Sequence, residues 1–325
     1  MNRWESQLAN RDSNRVVRPF EWGLEWLELQ ESTELEGYSK KSARDSEQFF
    51  SYDTVGDYRL DGNTLSFTSP VESPYAENNT VYAEYFPSPK PGGRAVLVIP
   101  QWNSDPQGHI GLCKLLNRFG LSALRLSKAY HHKRMPPELR RADYHVSSNL
   151  GRTIHATRQS VIDARACLDW MEQKGYRRLG ILGTSLGSCV ALLTTAHDHR
   201  LQAGVFNHVS MNFSDVVWTG LSCRHIRQSL DPHVTQEQMR RIWHVISPAA
   251  YLDRLIGRDL KSLLIWANHD TTFLPEFSLE ALEGFRKRGI PHQEICLPCG
   301  HYTSGKFPFN LWDGLVMCRF LRRML

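Results

Sequence analysis

Apolar positions change their spacing along the chain, and the change divides it. Before residue 64 they recur at helical intervals, which predicts helices over residues 19–29 and 33–50, with Trp22 and Trp26 four apart on one face of the first, as in a packing arm. From Leu65 short β-like runs separated by turn residues take over: 64–69, 80–86 and, after a Pro- and Gly-rich turn at 89–93, 95–100. Ala95, Val96, Leu97, Val98 and Ile99 form an unbroken apolar run, as in a strand covered on both faces.

Strand and helix then alternate. Ser104 and Asp105 can cap a helix over 111–119 that stops at Gly120; 121–126 reads as a strand, 127–149 as a basic, Pro-containing excursion, and 153–174 as a helix with apolar Val161, Ala164, Ala166, Leu168 and Met171. A strand at 179–182, a small-residue helix and a strand at 203–209 follow. Residues 211–256 break the rhythm with helix-like, aromatic and basic sequence, including Trp218, Arg224, His225, Arg227, Arg240, Arg241 and Trp243. The alternation resumes with a strand at 260–267, a helix at 274–288, a strand at 292–297 and a helix at 308–324. Such alternation predicts an α/β fold, a mostly parallel central sheet flanked by helices, with its chemistry beyond the carboxyl ends of the strands. The expected division is an N-terminal helical extension (1–64), a core in two parts (65–210 and 257–325) and a small helical cap (211–256) over the crevice.

Composition narrows the classes. A chain of 325 residues can bury a large core. Its net charge of +5, without a basic stripe, gives no indication of a nucleic-acid partner. No apolar run is long enough for a transmembrane segment, and the first residues lack the apolar centre of a signal peptide. Seven cysteines, an odd number spread along the chain, fit a reducing compartment, so the expected location is cytoplasmic. Oligomeric state is not legible.

The stretch Leu179–Leu193, LGILGTSLGSCVALL, reads as a strand, a turn too tight for large side chains, and a helix, with Ser185 at the tip. Three fixed positions of this kind recur by chance in roughly one chain in ten of this length, so other residues must supply the weight. A serine hydroxyl needs a base to take its proton and a third group to orient the base. Asp270 follows the strand containing Leu263–Trp266, 85 residues after Ser185, and His301 follows the last strand 31 residues later. Asp215, just beyond an earlier strand, is the alternative acid; His269 is expected as an exposed turn neighbour.

The order Ser, Asp, His at successive strand ends, with GTSLG, WANHD and a terminal CGH, resembles the alpha/beta hydrolase superfamily over about residues 65–325, nearest to its esterase, dienelactone hydrolase and acyl-peptidase members. The resemblance implies Ser185 as nucleophile, His301 as base and Asp270 as the group orienting it. It also implies an oxyanion site made by the Leu186 backbone N–H and a second N–H from the loop after the 95–100 strand. Family members commonly read His-Gly there, whereas this chain reads Pro100, Gln101, Trp102; Pro100 has no N–H, which leaves Trp102 or Gln101 as the second donor. Trp102, Trp218 and Trp243 are candidate substrate-binding residues. Cys296 and Cys299 form a lone CxxC read as strand filling, not as a metal site. The run His131, His132, Lys133, Arg134 with Arg140 and Arg141 is read as a solvated loop face. The expected activity is hydrolysis of small-molecule carboxylic esters through an acyl-enzyme, with no cofactor and no metal. An amidase, thioesterase or peptidase using the same triad is the alternative, and a non-catalytic binding protein on this fold is another.

Overall fold

The structure, a computed structural model, describes residues 1–11, 14–89 and 92–325. In chain order its helices and strands are α1 (Asn2–Asn10), α2 (Leu35–Arg44), α3 (Ser46–Phe49), β1 (Arg59–Asp61), β2 (Thr64–Thr68), β3 (Thr80–Phe86), β4 (Arg94–Ile99), α4 (Ile110–Arg118), β5 (Ser122–Ser127), α5 (Leu150–Gln173), β6 (Arg178–Thr184), α6 (Leu186–His197) and β7 (Leu201–Asn207). Three short helices follow, α7 (Phe213–Thr219), α8 (Arg224–Leu230) and α9 (Gln236–Ile242), and the fold closes with β8 (Lys261–Ala267), α10 (Pro275–Lys287), β9 (His292–Leu297) and α11 (Phe309–Met324).

The nine strands form one sheet in the order β1-β2-β3-β5-β4-β6-β7-β8-β9. The first three join antiparallel, and β5 through β9 run parallel. The apolar run in β4 fills both faces: Ala95, Leu97 and Ile99 belong to a core with residues of α5 and α6, while Val96 and Val98 belong to one with residues of α4 and α11. Burial on both sides is why no polar position interrupts it. Among the described residues no helix is long and apolar enough to cross a membrane.

The first stretch departs from the predicted pattern. Residues 19–29 do not form a helix; only Leu24–Trp26 makes a 3₁₀ turn, after Gly23 at φ +68°. The Glu21 N–H donates to Ser148 O at 3.1 Å, and Glu21 O accepts from Leu150 N–H at 3.1 Å, so the segment is held extended against the entry to α5. Trp22 and Trp26 therefore share no helical face: Trp22 packs edge-on against Phe20, and Trp26 stacks with Tyr75. The helix predicted over 33–50 is present but broken at Asp45, and α1 was not legible. Strand β1 lies inside the stretch read as helical extension and pairs with β2. Of the predicted turn at 89–93, Lys90 and Pro91 lie outside the described residues.

The basic run is a solvated face only in part: Lys133 and Arg140 are exposed and His132 is half-buried. Arg134 is fully buried, donating to Asp163 Oδ2 at 2.7 Å and to the Asn78 and Ser127 carbonyls, and His131 and Arg141 are buried as well. Asp163 and the Asn78 carbonyl, both far along the chain, compensate the desolvation of the Arg134 cation.

Candidate active site

Four consecutive parallel strands end at one edge of the sheet, and a polar side chain follows each: Ser185 after β6, His208 after β7, Asp270 beyond β8 and His301 beyond β9. Ser185 sits between β6 and α6 at φ +58° and ψ −122°, a conformation that costs an L residue about 1–3 kcal/mol. The fold holds it there from both sides. Its N–H donates to Asn207 O at 2.8 Å, and Ser188 N–H donates back to Ser185 O at 2.8 Å. The glycines of the motif are required by close approach: a Cβ on Gly183 would run into the Gly187 carbonyl, and one on Gly187 into the Ile99 carbonyl.

Ser185 Oγ lies 3.1 Å from His301 Nε2, and His301 Nδ1 lies 3.0 Å from Asp270 Oδ2. Phe273 stacks flat on the His301 ring at a centroid distance of 5.4 Å and fixes its plane. Asp270 Oδ1 accepts the N–H groups of Thr272 and Phe273 at 2.8 and 2.7 Å. Burial pushes this carboxyl pKa up, but the charge and hydrogen bonds of His301 and His208 outweigh burial and hold it well below the usual carboxylate range.

His208 is the functional-site residue that sequence reasoning missed. Its Nδ1 lies 2.7 Å from the same Asp270 oxygen, and its Nε2 lies 3.0 Å from Ser304 Oγ. Nδ1, facing an ionised carboxylate, donates to it. Burial works against a charge on His208, and its pKa is nevertheless raised by Asp270, with Asp313 and Glu5 adding to the effect. Among the described residues, His208, Asp270 and His301 are the only group able to hold a metal, their ligand atoms lying within 4.8 Å of one another, and those atoms are engaged with each other.

Asp215 does not reach His301. It is buried and held by Arg240 at 2.6 and 2.7 Å and by Gln236 at 2.9 Å, which ties α7 to α9. His269 is exposed on its turn. Cys296 and Cys299 are unpaired, the first exposed and the second buried.

Leu186 opens α6, so its N–H has no acceptor inside the helix. In the loop after β4, the buried Lys128 Nζ donates to Pro100 O at 2.8 Å and Gln101 O at 3.0 Å. In a trans peptide the N–H points opposite its C=O, so this clamp turns the Gln101 and Trp102 N–H groups away from Lys128. Asn103 N–H is already committed to His131 Nε2 at 3.1 Å.

Two cavities meet at Ser185. The larger, about 640 Å³, is lined by His109, Arg141, Asn207, Leu311 and Asp313 among others; the smaller, about 40 Å³, is lined mainly by apolar side chains including Leu186, Cys189, Phe213, Val216, Val217 and Phe273. Trp102 lines both and is anchored by its Nε1–H donating to Ala142 O at 2.9 Å. Trp218 and Trp243, read as substrate-binding, line neither cavity. Trp243 is fully buried, donates to Leu150 O at 3.2 Å and packs edge-on against Phe213; Trp218 is buried under Arg227. Within residues 211–256, α7 contributes Phe213, Val216 and Val217 to the apolar lining, beside Val146, Leu186, Cys189 and Phe273 from elsewhere.

No protein-family model and no curated protein sequence matches the chain. Solved structures do. An acetyl xylan esterase from Paenibacillus sp. R4 superposes with a TM-score of 0.63 at 15% identity, covering 98% of this chain and 99% of that one. An acylaminoacyl peptidase from Pyrococcus horikoshii gives 0.62 at 13% identity over 84% of this chain, which spans only 42% of the peptidase. A cold-adapted esterase from an Arctic intertidal metagenomic library gives 0.51 at 18% identity, covering 85% and 99% of the two chains. The chain has the alpha/beta hydrolase fold, a mostly parallel sheet flanked by helices.

Proposed function

We propose that the protein hydrolyses carboxylic esters through an acyl-enzyme on Ser185. The observation that carries this reading is the unbroken chain from Ser185 Oγ through His301 to Asp270, built at a strained strand-to-helix turn. Ser185 Oγ attacks the ester carbonyl while His301 Nε2 takes its proton and Nδ1–H stays on Asp270. The tetrahedral oxyanion lies between the Leu186 N–H and the N–H of Trp102 or Gln101. Its collapse breaks the bond to the alcohol, which leaves with the proton from His301. Water deprotonated by His301 then attacks the acyl-enzyme, releasing the carboxylic acid and Ser185.

The two cavities divide the substrate. The small apolar one takes the acyl group and the larger one the alcohol, with residues 211–256 acting as the cap that supplies the acyl wall. The esterases among the structural neighbours support an ester substrate, and the peptidase neighbour keeps amides in view. Seven unpaired cysteines, six of them buried, support a cytoplasmic setting. The acyl limit is tested with p-nitrophenyl esters of increasing chain length and matched anilides. We expect kcat/KM to fall at least about 10-fold from acetate to octanoate, roughly what one or two unplaceable methylenes cost, and to be lower still for anilides. Equal rates for octanoate would overturn the acyl-pocket assignment.

Lys128 gives a test of the oxyanion loop. Lys128→Met leaves the Pro100 and Gln101 carbonyls without their donor, so the two N–H groups lose their aim. We expect kcat to drop by about 10²-fold with fluorophosphonate labelling of Ser185 slowed rather than lost. A variant with wild-type kcat would show that the clamp does not serve the oxyanion.

A further inference from the structure

Large apolar side chains left in solvent are not scattered over this molecule. Of the ten such residues among those described, seven, Met1, Trp4, Val16, Val17, Phe307, Leu311 and Trp312, belong to three segments joined at the loop that carries His301. Helix α1 is fastened to that loop by the fully buried Glu5, whose carboxylate accepts the N–H groups of Tyr302 at 3.0 Å and Thr303 at 2.6 Å. The segment bearing Val16 and Val17 is fastened by Arg15 Nη2, which donates to Tyr302 Oη at 2.9 Å. Phe307, Leu311 and Trp312 follow the same loop into α11, and Phe307 is 76% exposed.

The described charge around this cluster is mainly positive. Residues 1–20 and 300–325 hold three acids, Glu5, Asp12 and Asp313; Glu5 and Asp313 are buried, and Asp12 lies outside the described residues. Arg3, Arg11, Lys306 and Arg319 are exposed. Arg319 lies seven residues after Trp312, two turns along α11 on the same face. Tyr302 and Leu311 also line the large cavity at Ser185, so the cluster borders the opening through which a substrate arrives.

We propose that this face docks on an anionic lipid surface, with the aromatic and aliphatic side chains entering the interface and the exposed arginines and lysine meeting the headgroups. Aromatic and apolar side chains ringed by cations are what a bilayer boundary of negative charge takes up. A twofold pairing of two copies would set these cations against each other, which disfavours the second copy as occupant. The docking deepens the esterase reading and rests on it for one consequence: an ester presented from the interface meets the large cavity first.

The test is co-sedimentation with vesicles of phosphatidylcholine containing about 30% phosphatidylglycerol, compared with phosphatidylcholine alone, for wild type and Phe307→Ser/Trp312→Ser. Neither side chain lines the cavity at Ser185, so hydrolysis of p-nitrophenyl acetate in buffer serves as the control for the fold. We expect the wild type to sediment with the anionic vesicles and to be released by about 0.5 M salt, where the screening length falls to a few ångströms. The double variant is expected to bind at least about 10-fold less while keeping wild-type hydrolysis. Absence of sedimentation with hydrolysis intact overturns the docking and leaves the esterase reading standing. A concentration-dependent dimer in analytical ultracentrifugation that the two substitutions dissolve overturns it in favour of a second copy. Sedimentation without any ester hydrolysis supports the docking and sinks the esterase reading.

Discussion

Ser185→Ala is expected to lower kcat for p-nitrophenyl acetate by about 10⁵–10⁶-fold and to abolish fluorophosphonate labelling. His301→Ala should cost nearly as much, and the double variant no more than the worse single one, because the two groups act as a unit at 3.1 Å. The residual rate then reports what the Leu186 N–H and the loop after β4 supply without a nucleophile. Melting temperatures should stay close to wild type, since Ser185→Ala removes one oxygen atom and keeps the backbone contacts to Asn207 and Ser188. A labelled Ser185→Ala protein, or a kcat within 10-fold of wild type, would sink the assignment.

Asp270→Asn is expected to cost about 10⁴-fold in kcat, and the reason lies in how the carboxylate is held. Its Oδ1 is fixed by the N–H groups of Thr272 and Phe273, so an asparagine keeps its carbonyl there and presents its NH₂ at the position of Oδ2. That position faces Nδ1 of both His301 and His208. A donor now meets donors; His301 must move its proton to Nε2, where it can no longer receive one from Ser185. Asp215→Asn, by contrast, breaks the bidentate contact with Arg240 between α7 and α9 and should lower the melting temperature while leaving kcat within about threefold. Turnover measured beside thermal denaturation separates the two. If Asp215→Asn proves the more damaging to kcat, Asp270 does not orient the base.

The elements legible in the sequence are those whose burial is set by their own pattern. β4 reads as a two-faced strand because both sides of it meet apolar helices. Ser185, Asp270 and His301 fall where strand ends do, and strand ends follow from period and turn chemistry. Residues 19–29 have helical spacing too, yet the main chain there is claimed by Ser148 and Leu150, a pairing no local window contains. Arg134 looks solvated because charge normally is; Asp163 and the Asn78 carbonyl, distant in sequence, make its burial possible.

By itself, then, the sequence determined the alternation of strand and helix, the tight turn at Ser185 and the order of Ser185, Asp270 and His301 at strand ends, because each rests on neighbours within a few residues or on a spacing along the chain. Only the tertiary structure decided which acid meets His301, that His208 shares its carboxylate, that Lys128 clamps the loop of Pro100 and Gln101, and that Trp243 fills the core while Phe213, Val216 and Val217 line the cavity. Each of those depends on where hydrogen-bond donors and acceptors from segments far apart in the chain are brought within about 3 Å of each other, a distance that periodicity does not encode.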